Sequence, residues 1–138
     1  MNLTDGSTFT VPFASDNYQF FITFPQDVLV TGVGAVFNNF AAFTPVTGSD
    51  FRPYVALAIA TPGTFNFTLI PESITYSTIG FSGGSTNPVS TILNGSTQNL
   101  SVPIQAGTVM AIVGGWSNLG TPQSLQQFIY MSGSIFFS

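Results

Sequence analysis

The chain has 138 residues, 44% hydrophobic, 14% aromatic and only 4% charged, with one cation, Arg52, against Asp5, Asp16, Asp27, Asp50 and Glu72. Soluble domains ordinarily devote about a quarter of their residues to charge, so the surface must be built from Ser, Thr, Asn, Gln and Gly, with apolar area covered by an oligomeric partner. A single cation cannot neutralise a phosphate backbone or hold an anionic lipid surface, which excludes nucleic-acid binding and charge-mediated membrane binding.

Strand signals recur about every ten residues, each bounded by Gly, Pro, Asn, Asp or Ser, the spacing of an all-β sandwich or barrel. In chain order the predicted strands cover 8–13, 19–24, 28–37, 53–60, 64–70, 73–76, 89–93, 98–102, 108–116 and 128–137, about ten in all. Three of them are apolar on both faces: LVTGVGAVF (29–37), YVALAIA (54–60) and TVMAIVGG (108–115). In YVALAIA one face carries Val55, Leu57 and Ile59 and the other Tyr54, Ala56, Ala58 and Ala60, so a second contact surface is expected, most simply from a sister subunit. Turns are predicted at PGT (62–64), SGGSTNP (82–88), NGS (94–96) and QAG (105–107). PQSLQQF (122–128) makes one short helical turn at most. The final stretch, IYMSGSIFFS (129–138), alternates as a half-buried strand. Chain ends fray unless a sheet or a partner holds them.

No repeat of fixed period and no linker divides the chain, so one domain is expected over 1–138. No apolar run reaches the roughly 20 residues of a spanning helix, and MNLTDGSTF lacks the basic and apolar regions of a signal peptide, so no membrane insertion is expected. Lacking Cys, the chain is not a disulfide scaffold. The lack of both thiols and lysines suits a long-lived extracellular object.

Chemistry has little to work with. Without His, Cys or Lys there is no ordinary base, thiol nucleophile, soft metal ligand or Schiff-base amine. The carboxylates fall in predicted turns or strand ends, where capping is their usual role, and no catalytic or cofactor residue is assigned. Asp16, Asn17 and Asp27, or Asp50 with loop carbonyls, are hard-cation ligands by type, but their spacing matches no metal loop and no metal site is assigned. Asp50 and Arg52 can form an ion pair, within the chain or between subunits. Sequons at Asn2, Asn66, Asn94 and Asn99 are expected by chance in a chain so rich in Asn, Ser and Thr. With 15 Phe against four Tyr and one Trp, core packing is the default for the aromatics; Tyr76 and Trp116, beside Gly- and Ser-rich turns, are the candidate ligand contacts.

The stretches FFITFPQDVLVTGVGAVF (20–37), YVALAIATPGTFNFTLIPES (54–73), NLSVPIQAGTVMAIV (99–113) and QFIYMSGSIFFS (127–138) resemble, in their order of apolar, Gly and Pro positions, the C-terminal domains of collagen-like exosporium glycoproteins of spore-forming bacteria, the BclA and BclB type. The resemblance spans about residues 18–138. It implies a ten-stranded antiparallel jelly-roll β-sandwich of the tumour-necrosis-factor and complement-head type, assembled as a homotrimer that caps a collagen-like stalk. This chain carries no Gly-X-Y triplets, so the stalk is expected upstream of Met1. Localisation is expected to be extracellular, on a spore or cell surface.

Combining this resemblance with the two-faced strands gives a non-enzymatic trimerisation and tip domain. The expected partners are two further copies of itself, the stalk, and a host-surface or glycan receptor as a candidate. The candidate interface residues are Val33, Ala35, Phe37, Tyr54, Ala56, Ala58, Met110, Ile112, Met131, Ile135 and Phe137. The alternatives are a phage or bacterial receptor-binding tip or carbohydrate-binding module, working through Tyr76 and Trp116, and a capsid or filament building block.

Overall fold

The computed structural model describes residues 8–10, 21–121 and 129–138. Predicted strand residues at 11–13, 19–20 and 128, the helical turn at 122–128, and Asn2, Asp5, Asp16 and Asn17 lie outside the described residues.

The described chain is all-β. Its strands are β1 (Thr8–Thr10), β2 (Phe21–Ile22), β3 (Val28–Asn39), β4 (Asp50–Ala60), β5 (Asn66–Leu69), β6 (Thr75–Tyr76), β7 (Phe81–Ser82), β8 (Ile92–Ile104), β9 (Met110–Asn118) and β10 (Ile129–Phe137). They form two antiparallel sheets. The larger, centred on β4, runs β1-β5-β4-β9-β2, with β6 and β7 also pairing along β4; the smaller, centred on β3, runs β10-β3-β8.

The sheets face each other across one shared core, the arrangement of a β-sandwich. Alternation along each strand decides who enters it. From β3 come Val28, Val30, Val33, Ala35 and Phe37; from β4 Phe51, Val55 and Leu57; from β8 Leu93 and Ile104; from β9 Met110. Phe43, Phe51, Phe81 and Trp116 close one end of this core as a cluster of edge-on and tilted rings, with centroids 5.1 to 6.4 Å apart.

Three local features differ from the sequence expectation, each for a physical reason. Of the predicted strands at 89–93 and 98–102, residues 92–93 and all of the second belong to one strand, β8, while 89–91 turn back onto Pro88, and NGS (94–96) is not a turn: Gly95 pairs with Ala35 and lies so close to the Tyr76 carbonyl that no Cβ fits. Glycine serves close backbone approach there. The first residues of the Gly-rich stretch, Phe81 and Ser82, form the unforeseen β7 on β4. Finally, Pro53 stands inside the long central strand. Its carbonyl accepts from Ser77 N–H, so its missing N–H faces the same side, in the gap between β6 and β7 where the ladder is already interrupted.

Polar side chains tie the loops to this frame. Buried Asn39, ending β3, donates from Nδ2 to the Pro88 carbonyl at 2.6 Å and to the Ala41 carbonyl at 3.1 Å, while its Oδ1 accepts from Thr91 N–H at 2.6 Å. Buried Ser73, in the 3-10 turn Pro71–Ser73, donates to the Ile70 carbonyl at 2.6 Å and accepts from Leu57 N–H at 2.8 Å. Both satisfy backbone groups that leave the ladders at bends.

Candidate functional site

The second face of β4 was expected to meet another subunit. It is instead closed within the chain. Tyr54, Ala56, Ala58, Ala60, Phe67, Leu69, Ala111 and Val113 form a second buried cluster on the outside of the β4 sheet, with Phe21, Ile74 and Val109 packed against it. Phe21 on β2 and Phe67 on β5 flank β9 and β4, about 14 Å apart at three strand spacings, yet their ring centroids meet at 5.0 Å. Register places Ala111, Ala58 and Ala60 between them. Only side chains this short let two rings close over them. Next to this roof, Tyr54 lies over Gly115, where a Cβ would collide with the phenol, and its ring meets Tyr76 edge-on at 5.3 Å.

The candidate interface residues are therefore divided by the structure. Val33, Ala35, Phe37, Tyr54, Ala56, Ala58 and Met110 are buried inside a single chain, where no partner can reach them. Ile112 and Ile135 are partly buried against the core. Met131 and Phe137 remain exposed, both on β10. The candidate ligand pair separates as well. Tyr76 pairs with Tyr54 and Trp116 with Pro53, neighbours in β4, so they occupy opposite faces of one sheet. Trp116 belongs to the ring cluster of the core, and the two aromatics form no common platform.

The remaining candidate polar groups have local duties. Asp50 Oδ2 takes Arg52 Nη2 at 3.1 Å within the chain, and Arg52 Nη1 also donates to the Thr78 carbonyl. Asp27 Oδ1 accepts from Ala106 N–H, capping the QAG turn at 2.8 Å. Glu72 is exposed on the 3-10 turn. Asn66, Asn94 and Asn99 are all exposed.

The open surface is on the other sheet. The outer side of the β3 sheet carries Asn38, Val36, Gly34 and Gly32 of β3, flanked in register by Tyr130, Ser132, Ser134 and Phe136 of β10 and by Ile92, Asn94, Ser96 and Gln98 of β8. One end is apolar. Val36, Ile92 and Tyr130 are 46%, 65% and 62% exposed, and Phe40, just beyond β3, sets its ring edge-on to Tyr130 at 5.6 Å. The middle is flat, made of Gly34 and serines. At the other end, about 20 Å away by strand rise from Asn38 to Gly32, Phe136 lies across Gly32 and Gly34 beside a hollow. Sequence reasoning missed this face because Val36, Ile92 and Tyr130 come from three separated segments, and only the register aligns them.

Compared with known proteins, the chain matches no family model, no curated protein and no solved structure.

Proposed function

We propose that this chain is a non-enzymatic assembly domain, a jelly-roll unit that associates into homotrimers and crowns a collagen-like fibre on a spore or cell surface. The observation that carries the reading is the apolar end of the β3 sheet, where Val36, Phe40, Ile92 and Tyr130 stand exposed together on a chain with almost no charge to keep it apart from its copies. Exposed apolar clusters of this kind mark interaction surfaces. Strand β10 is an edge strand of its sheet among the described residues, and its inward-turned Met131 and Phe137 stay partly exposed along that edge.

The path of the chain supports the jelly-roll assignment. From β2 the main strands pass from sheet to sheet, β2 to β3, β3 to β4, β5 to β8, β8 to β9 and β9 to β10, with β4 to β5 the local exception. Such alternation is how two interlocked Greek keys build a double sheet. The role at the end of a fibre rests on the resemblance to exosporium proteins and on a physical need: three collagen chains must be held together before winding can start, and a globular end that trimerises supplies the local concentration. Its non-enzymatic character rests on the lack of His, Cys and Lys and on the capping or pairing duties of Asp27 and Asp50.

Light scattering coupled to size-exclusion chromatography tests this. The natural chain is expected at three times the monomer mass. A Val36→Asp, Tyr130→Asp double variant is expected at monomer mass with its fold intact by circular dichroism. A monomeric natural chain, or a variant that stays trimeric, removes the assembly reading.

A further inference from the structure

We infer that the hollow at the bend of the β3 sheet binds a neutral sugar ring, an activity separate from self-association. The hollow has a volume of about 480 Å³ and is lined by Thr31, Gly32, Gln98, Asn99, Leu100 and Phe136, a size within the range of small-ligand sites, roughly 300–1,000 Å³.

The hollow is built by an irregularity on both sides of one residue. Between Val30 and Gly32, β3 has only Thr31, whereas β8 runs from Gln98 to Val102 through three residues; on the other side, the β10 register also shifts at Phe136–Phe137. The sheet bends there, and Asn99 adopts φ 60°, one of two positive values at non-glycine residues among those described. A left-handed asparagine at a bulge is a conformation held at some cost by its surroundings, and bulges re-aim side chains beside binding sites. Here the bulge sets Gln98 and Asn99 side by side, both exposed.

The lining chemistry selects the ligand. Gly32 provides the floor: a Cβ there would stand 3.1 Å from the Thr97 carbonyl oxygen and 3.3 Å from the Phe136 ring. Phe136 leans on that floor yet remains 57% exposed, which leaves ring surface for an apolar ligand face. Two carboxamides and a threonine hydroxyl supply both donors and acceptors. None of the lining residues is charged, so phosphates, carboxylates and cations find no counter-charge. A purely apolar ligand would desolvate the amides without pairing them. A neutral ring with one C–H face and a rim of hydroxyls meets all these demands, and a pyranose is that ring.

The test uses the intact chain and the methyl glycosides of glucose, galactose, mannose and N-acetylglucosamine, titrated to about 100 mM while amide shifts are followed by NMR. At least one glycoside is expected to move Gly32, Gln98 and Asn99 saturably, with a dissociation constant on the order of 1 mM, ordinary for a small ligand in an open site. Phe136→Ala and the exposed Gln98→Ala should each weaken binding about five- to tenfold. Gln98→Ala guards against a misfolded Phe136 variant. The inference falls if no glycoside gives saturable shifts at these residues, or if Gln98→Ala binds as well as the natural chain. It also falls if Phe136→Ala lowers the oligomeric mass, because the hollow would then be a seat for a second copy. Masses measured on the same samples separate this test from that of the assembly reading: a monomer that binds the glycoside upholds the first and not the second.

Discussion

On the outside of the β4 sheet, two phenylalanines reach across a central pair of strands and close over alanines, sealing them within the chain. On the outside of the β3 sheet the central positions are smaller still, Gly32 and Gly34, but only Phe136 crosses them, and the opposite edge strand offers Ser96 and Gln98 in place of a second ring. Small central residues thus serve two ends. Flanked by rings on both sides they make a sealed intramolecular layer; flanked by a ring on one side and polar groups on the other they make an open, partly concave surface.

The largest expected effect concerns the open sheet itself. Deleting Met131–Ser138 strips most of β10 from β3, uncovering one flank of a three-stranded sheet whose inner side holds Phe37 and Val33. Loss of the cooperative unfolding transition in calorimetry is expected. A truncated chain that still melts cooperatively and trimerises would mean that β10 matters to neither fold nor assembly.

Next in size is the sealed layer. Phe67→Ala removes one of the two roof rings and should cost about 3–5 kcal/mol in urea unfolding, whereas Ala58→Leu forces extra volume beneath the roof and should cost about 1–3 kcal/mol. If Ala58→Leu were neutral, the rings would not meet in solution and the contrast between the two faces would collapse. Equivalent enlargement on the open face, Ser132→Leu, should change stability by less than about 0.5 kcal/mol, as exposed positions generally do.

A buried polar position gives a smaller effect. Asn39→Ala leaves Thr91 N–H and the Pro88 and Ala41 carbonyls without their side-chain partner, at about 1–3 kcal/mol. The smallest belongs to the ion pair. Arg52 and Asp50 are each about one-third exposed, 31% and 34%, so Arg52→Ala should cost less than about 1 kcal/mol, and less again in high salt.

Much of the strand pattern was legible in the sequence, because alternation and turn residues report local geometry: β3, β4, β9 and β10 lie within a few residues of their expected positions. Gly95 was not legible, since a glycine before a serine reads as a turn unless the neighbouring Tyr76 carbonyl is known to sit against it. YVALAIA and most of TVMAIVGG are buried on both sides as expected, whereas the outer face of LVTGVGAVF is open at Val36. What covers YVALAIA was not legible, because a sister subunit and a Phe21–Phe67 roof impose the same pattern on it.

Composition and periodicity by themselves determined that this is an all-β chain, with strands apolar on both faces, scarcely any charge and no His, Cys or Lys. Those are properties of residue type and spacing, which need no knowledge of neighbours. Only the tertiary structure decided which face is sealed and which is open. That depends on register across strands far apart in the chain, where Phe21 and Phe67 meet above alanines, while Val36, Ile92 and Tyr130 line up in the open and Phe136 and Gln98 flank a glycine floor.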